Sequence, residues 1–318
     1  MWYFVALLVG IAASMVSPKT YFRLSYGFYI LMIILLVLVM ILGHKGMGAQ
    51  RWLEIGPLKF QPSEMTKIAV VLMLGRWYAK AGPERELGFK ELIIPAILTG
   101  IPAILVVIEP DLGTGVLVLL VFFAISFYRQ LKWKTIVVLG ILGLLSGVFM
   151  FKFGLKSYQQ KRIITFLNPS EDSRGSGYNA LQSKIAIGSG KLFGKGFKKS
   201  SQSSLNYLPE NHTDFVFSIF NEEHGFFGSL LLISLYLVLI LRFIYLASSV
   251  SRIYESIVLI GLMSIFFLHT LINMGMVTGL LPIVGLPLPL MSYGGSSLLT
   301  FSICCGIGTS ISNSKNIF

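Results

Sequence analysis

Charge is scarce in this sequence, and acidic charge most of all. Asp and Glu number 14 among 318 residues, against 26 Lys and Arg, and only 13% of positions are charged. A soluble domain carries roughly 25% charged residues, so a water-covered globule is excluded. Cysteine is nearly absent. The two present, Cys304 and Cys305, are adjacent and lie in apolar sequence. Neighbouring cysteines do not form an ordinary structural disulfide, so neither a disulfide framework nor a Cys-based metal site is implied. Four histidines (44, 212, 224 and 269) do not gather around a nucleophilic serine. No Gly-x-Ser-x-Gly elbow exists, which leaves Ser/His/Asp hydrolysis weakly supported.

Apolar sequence is abundant. Hydrophobic residues make up 54% of the chain, and they come in runs near bilayer-spanning length, roughly 20 residues. Nine runs are present, at about 2–16, 24–43, 64–79, 92–108, 112–129, 135–153, 226–247, 256–278 and 294–312. The first and third are short. Only Glu109-Pro110-Asp111 separates the fourth from the fifth, which predicts a tight reversal at one membrane face. Met1–Val16 ends near Ala12-Ala13-Ser14 but lacks the basic leader of a signal peptide, and is read as a short span. The expected fold class is all-α: a polytopic membrane helix bundle of about nine spans, one domain over residues 1–318.

Short loops retain Lys and Arg on the cytoplasmic side. Four alternate loops carry Lys19 and Arg23; Arg76, Lys80, Arg85 and Lys90; Arg129, Lys132 and Lys134; and Arg242 and Arg252. The intervening faces are poorer, with Lys45, Arg51 and Lys59 after the second span and none at 109–111 or 279–292. This predicts the N-terminus outside and the C-terminus inside. The one long extramembrane region, about 154–213, then lies on the outer face. From Lys152 to Thr213 it holds ten Lys/Arg against Glu171, Asp172 and Glu210, a net +7 of the formal +12. Two readings stay open: a solvated loop, since long loops escape the charge rule, or a groove for an anionic substrate such as a lipid phosphate. Nucleic acid is not an expected partner of a face turned away from the cytoplasm.

Ionisable groups in or beside spans are costly and therefore informative. Gln61-Pro62-Ser63-Glu64-Met65-Thr66-Lys67 opens the third span, with Glu64 and Lys67 on one helical face. They read as a salt bridge at the helix start or as a charged pair lining an outward cavity. Glu109-Pro110-Asp111-Leu112-Gly113-Thr114 reads mainly as cap and turn. In the long loop, Gly175 to Gly190 predicts a short glycine-bounded helix with Leu181, Lys184, Ile185 and Gly188 on one face. Pro282, Pro287 and Pro289 break the helix between the last two spans. Broken backbone at membrane depth is tolerated where it lines protein or a cavity, so 274–291 is a second wall of an outer site or plain loop.

The densest polar cluster is Pro209-Glu210-Asn211-His212-Thr213-Asp214-Phe215, where the basic loop meets apolar helix. Asn211 or Thr213 could cap that helix. At 3.6 residues per turn, Asp214, Ser218, Asn221 and Glu222 share a face, which should meet water, a cavity or a ligand. Asp214 is either part of a wetted helix end or the carboxylate of a site. In the second reading it can act as general base toward a substrate hydroxyl.

Several motifs occur in order: Gly48-Ala49-Gln50-Arg51-Trp52-Leu53, Gln61-Pro62-Ser63-Glu64 with Lys67, Pro110-Asp111-Leu112-Gly113-Thr114, Gln182–Gly190, Leu208–Phe215, and Asn273–Gly279 through Ser292-Tyr293-Gly294-Gly295-Ser296. Together they resemble the SEDS (shape, elongation, division, sporulation) family of bacteria over nearly the whole chain. The pattern is nearer to the RodA branch than to the FtsW branch. The resemblance implies a multi-pass protein of the bacterial cytoplasmic membrane with an extracytoplasmic active site. It implies a peptidoglycan glycosyltransferase that polymerises lipid II, a disaccharide-pentapeptide on undecaprenyl pyrophosphate, for elongation and rod shape. It implies a class B penicillin-binding transpeptidase and elongation-complex membrane proteins as partners. The family's essential aspartate falls on Asp214, and its membrane Glu/Lys pair on Glu64 and Lys67.

On this reading Asp214 takes the proton of the acceptor hydroxyl. Lys184 and Arg51 are candidates to stabilise the departing pyrophosphate, and Gln182 and His212 complete the expected substrate-binding set. A divalent cation, Mg²⁺ or Mn²⁺, held by Asp214 and the substrate pyrophosphate is compatible with the pattern, whereas no all-protein metal cage is visible. The family usually has ten spans. This sequence is expected to start at the second, the first being either lost or encoded upstream. A lipid II flippase and a non-catalytic scaffold are the alternative functions; an inverted internal repeat, which a flippase predicts, is not evident.

Overall fold

The computed structural model describes residues 2–46, 49–55, 58–80, 86–155, 157–168, 172, 175–204, 208 and 212–315. Of the residues singled out above, Gly48, Arg85, Glu171 and Pro209-Glu210-Asn211 lie outside them.

The nine apolar runs are helical. In chain order the helices are α1 (Trp2–Met15), α2 (Pro18–Leu42), α3 (Pro62–Lys80), α4 (Phe89–Ile108), α5 (Leu112–Tyr128), α6 (Trp133–Phe149), α7 (Ser157–Leu167), α8 (Ser176–Ser189), α9 (Ser201–Ser204), α10 (Val216–Ser249), α11 (Ile253–Thr278) and α12 (Gly295–Lys315). A π-helical turn, Met150–Gly154, extends α6. Six described helices are long and apolar enough to cross a membrane: α2, α4, α6 with its π turn, α10, α11 and α12. Helices suit that setting because they satisfy every backbone group internally. Pro95 and Pro102 lie inside α4; the Leu98 carbonyl, which Pro102 cannot bond, accepts from Tyr29 Oη at 2.6 Å, as freed carbonyls in such helices are taken up by neighbours.

The sequence reading did not anticipate a small sheet between α2 and α3. Strands β1 (His44–Gly46), β2 (Ala49–Ile55) and β3 (Leu58–Phe60) pair antiparallel in the order β1-β2-β3. Two of them have three residues each, too few to show a period of two.

The chain forms two compact units. The first comprises Met1–Lys132, Leu239–Leu268 and Gly294–Phe318. Its centre is α3, buried from Pro62 through Gly75. Glycines set its close approaches: a Cβ on Gly75 would meet Val258 and Tyr254, and one on Gly261 would meet Val71. Helices α1 and α12 touch through small residues, Gly10 against Ser302 and Gly306 against Gly10 and Ala13, as membrane helices do when backbones pack closely.

The second unit comprises Trp133–Val238 and His269–Tyr293. Its core is Leu208, Phe215, Phe217, Tyr236, Met276, Val277 and Leu288. Helix α6 buries only Thr135 and presents its apolar length outward. The long loop is largely helical in its described part, through α7, α8 and α9.

Candidate active site

Asp214 lies in the turn of residues 212–215 that leads into α10. Three successive carbonyls of this turn are held by donors from the His269–Tyr293 segment of the same unit. The backbone N–H of Tyr293 donates to His212 at 2.8 Å. Ser292 Oγ donates to Thr213 at 2.6 Å. The buried Asn273 donates Nδ2 to Asp214 at 3.0 Å and to Leu286 at 2.7 Å. The broken segment after α11 is thus the wall against which the Asp214 turn is built. Its prolines leave carbonyls that helix cannot satisfy, and side chains take them up: Pro289 accepts from Tyr236 Oη at 2.6 Å, and the Pro287 carbonyl lies 3.1 Å from His269 Nδ1.

The carboxylate of Asp214 is half-buried and lies against Gly285. A Cβ at Gly285 would come within 3.1 Å of Asp214 Oδ2, and Gly285 has φ +74°. Glycine meets both demands, the close approach and the left-handed backbone.

Helix α8 runs between Gly175 and Gly190, as the glycines predict. Leu181, Lys184, Ile185 and Gly188 form its exposed face. On the opposite side the buried Ser183 hydroxyl pairs with Ser218 at 2.6 Å and donates to the Val277 carbonyl at 2.7 Å. This pins α8 to the start of α10 and the end of α11. Lys184 crosses Gly279, where a Cβ would strike its Cε and Nζ. A small recess beside it is lined by Arg162, Thr165, Phe166, Lys184, Gly279 and Ile283. Arg162 and Lys184 are both exposed, so two cations flank one recess. Gln182 is half-buried on α8, and His212 is exposed at the start of the Asp214 turn.

The predicted polar stripe is only partly a site. Asp214 keeps exposure, but Ser218, Asn221 and Glu222 are buried and bonded to protein. Ser218 is taken by Ser183, and Asn221 donates to Ser229 Oγ at 2.7 Å. Glu222 receives Lys195 Nζ at 2.6 Å and Ser200 Oγ at 2.5 Å. The basic loop folds back over α10 and covers the face that the sequence left open.

In the first unit, Lys67 Nζ meets Glu64 Oε2 at 2.9 Å one turn apart on α3. The Lys67 side chain is 0% exposed and that of Glu64 4%, so the pair is sealed in protein instead of lining an open cavity. Arg51 on β2 donates Nε to the Glu109 carbonyl at 3.1 Å and Nη2 to the Pro110 carbonyl. It therefore holds the α4–α5 reversal. Asp111 caps α5 through the Thr114 N–H and also accepts from Gln61 Nε2 at 3.1 Å. The cap-and-turn reading of this stretch is what the hydrogen bonds show. Glu109 is buried with both carboxyl oxygens unbonded. Burial, with the Asp111 charge adding to it and Arg51 opposing, pushes its pKa up to about 8. Among the described residues, no three His, Cys, Asp or Glu side chains converge to hold a metal ion.

The family model for FtsW, RodA and SpoVE, described as a cell cycle protein, matches residues 1–317. This chain belongs to that family. The peptidoglycan glycosyltransferase MrdB of Escherichia coli strain K12 is 41% identical to it over 307 residues, covering 96% of this chain and 82% of the relative. Stage V sporulation protein E of Bacillus subtilis strain 168 is 38% identical over 281 residues, covering 87% and 76%. Two solved structures share the polytopic fold. The rod shape determining protein RodA of Thermus thermophilus superposes with a TM-score of 0.72 at 30% identity, covering 99% of this chain and 86% of that one. A chain from a peptidoglycan synthase complex, described for its coordination of polymerization and crosslinking, gives 0.85 at 31% identity, covering 99% and 88%.

Sequence reasoning did not single out three residues that the structure brings to the candidate site: Asn273, Gly285 and Arg162. Asn273 acts on backbone carbonyls, which no side-chain pattern marks. Gly285 did carry a signal, a glycine among three prolines, but nothing linked it to Asp214.

Proposed function

We propose that this chain is a peptidoglycan glycosyltransferase that polymerises lipid II for cell elongation and rod shape, working at the outer face of the bacterial cytoplasmic membrane. The observation that carries the assignment of chemistry is the clamp on the carbonyls of residues 212–214, which fixes the backbone that presents one half-buried carboxylate. Identity of 41% to a peptidoglycan glycosyltransferase supports the reaction type.

The reaction joins O4 of an acceptor GlcNAc to C1 of a donor MurNAc. Asp214 accepts the hydroxyl proton as O4 attacks. The C1–O bond to phosphate breaks, and undecaprenyl pyrophosphate leaves with the electron pair. Arg162 and Lys184, at the rim of one recess, offset the charge of the leaving pyrophosphate. Asn273 and Gly285 position the base. His212, exposed at the start of the Asp214 turn, is a further candidate to touch the sugar or the phosphates, whereas Gln182, two residues from Lys184 on α8, lies on a different face of that helix. Glu64, Lys67 and Arg51 act on structure, through α3 and the α4–α5 reversal.

A single carboxylate suits a Mg²⁺ or Mn²⁺ ion that arrives with substrate phosphates, not one held by protein alone. Such an ion would be held by Asp214 together with the pyrophosphate and would neutralise its charge. A class B penicillin-binding transpeptidase, which crosslinks the new strands, and other elongation-complex membrane proteins are the proposed partners.

The test is polymerisation of labelled lipid II by the purified chain in detergent or vesicles. Asp214→Asn keeps shape and removes the base. Loss of product with an unchanged melting temperature is expected. Near wild-type polymer from Asp214→Asn protein would overturn the assignment, and lipid II transport without polymer would point to a flippase.

A further inference from the structure

The basic loop contains a rigid apolar tip that lipid II chemistry does not use. Its backbone is paired to the kink of α10. The N–H groups of Lys195 and Gly196 donate to the carbonyls of Glu222 and Glu223 at 2.9 and 3.0 Å. In return, Phe226 and Phe227 donate to Lys191 and Leu192 at 2.9 and 3.1 Å. Gly194 and Gly225 allow this approach, with φ +77° and +67°, and a Cβ on either would collide with the opposing backbone. The Glu222 carboxylate adds the bonds to Lys195, Ser200 and Ser201. The tip is held at four backbone points and one buried carboxylate, so the direction of its side chains is fixed.

Those side chains point away from the protein. Phe193 is 78% exposed and Phe197 71%, and Leu192, Phe226 and Phe227 are each more than half exposed. The Phe193 ring packs on Phe227 at 5.3 Å. Phe226 and Phe227 begin the apolar run of 226–247, whose outward residues continue the same surface through Leu230 and Leu231. Lys191, Lys198 and Lys199 ring the patch and are exposed, and Lys198 Nζ lies 5.6 Å from the centre of the Phe197 ring.

From this geometry we infer that Leu192, Phe193 and Phe197, continuous with Phe226 and Phe227, form a membrane-interface anchor. The rings seat in the leaflet that the N-terminal end of α10 enters, and Lys191, Lys198 and Lys199 meet lipid phosphates. Two observations select lipid as the occupant. The patch is an extension of a membrane span's own surface, and an aromatic body with lysines at its edge matches the layered polarity of a bilayer boundary. The basic loop therefore divides its lysines between two tasks, and the anchor fixes the height of α8 and of the Asp214 turn above the bilayer. The inference stands apart from the catalytic reading, since it concerns lipid contact and not turnover.

The test uses the full chain in nanodiscs of phosphatidylethanolamine and phosphatidylglycerol. An environment-sensitive fluorophore is placed on Phe193→Cys and, separately, on Phe197→Cys, in a Cys304→Ala/Cys305→Ala background. Both probes should emit in the blue, resist reduction by aqueous dithionite, and be quenched most by lipids spin-labelled near the headgroup, a depth of about 5–10 Å. Replacing Lys198 and Lys199 with Gln should weaken that quenching in anionic nanodiscs and leave it unchanged in neutral ones. Rapid dithionite reduction without lipid quenching at both positions would overturn the inference, because the tip would then stand in water. Protection that appears only in cells and is lost in nanodiscs would also overturn it, in favour of a protein cover.

Discussion

Asn273 reaches Asp214 through the backbone: its side-chain amide donates to the Asp214 carbonyl at 3.0 Å and to the Leu286 carbonyl at 2.7 Å. One buried group therefore sets the position of the Asp214 turn and of the segment that carries Gly285. Asn273→Ala leaves two carbonyls without their donor, a loss of about 1–3 kcal/mol of stability. Turnover should fall further than folding does, since misplacing a reacting group by about 1 Å can cost roughly 100-fold. Polymerisation rate per folded molecule, set against melting temperature, separates the two effects. A rate that falls only in step with the folded fraction would refute the positioning role.

Gly285→Ala tests the same relationship from the other side. The added methyl comes within 3.1 Å of Asp214 Oδ2, on a backbone at φ +74°. The left-handed conformation costs a non-glycine residue roughly 1–2 kcal/mol, and the carboxylate must turn away to make room. We expect a modest drop in melting temperature and a large drop in turnover. Wild-type turnover in this variant would mean that the Asp214 carboxylate tolerates displacement.

The Glu64–Lys67 pair is a matter of stability. Its members are buried and 2.9 Å apart. Lys67→Met leaves a buried carboxylate without its cation and should destabilise the protein by about 3–5 kcal/mol. Replacing both residues with apolar ones of similar volume should recover part of that loss. A double-mutant cycle in detergent measures the coupling, and additive single losses would show that the pair contributes nothing as a pair.

How far such features could be read in advance depended on whether they leave a period. The spans were legible because a bilayer demands long apolar helices, and Asp214 stood out as a carboxylate at the boundary between basic loop and apolar helix. Tight local signals also held: Asp111 caps α5, and glycines bound α8. The stripe of Ser218, Asn221 and Glu222 misled, because helical period says which residues share a face but not what covers it. Ser183, Ser229 and the Lys195–Ser201 loop take those residues up. The Asn273 clamp was illegible for a related reason. It joins residues 59 apart through a main-chain carbonyl, and any residue type supplies a carbonyl.

Glu109 gives the chain a pH dependence whose sign is fixed. It sits in the α4–α5 reversal beside Asp111 and Arg51, buried, with neither carboxyl oxygen hydrogen-bonded. Its pKa rises from an ordinary 4.5 to about 8, mainly through burial. Between those values the folded protein keeps a proton that the unfolded chain has released. The stabilisation is complete below pH 4.5 and is lost as pH rises through about 8. Glu109→Gln supplies a neutral side chain of the same shape at every pH. Melting temperature recorded from pH 5 to 9 should fall more steeply for the wild type than for the variant, with the gap opening toward pH 8. Parallel curves would show that Glu109 is already ionised in the folded protein, with its charge compensated by Arg51.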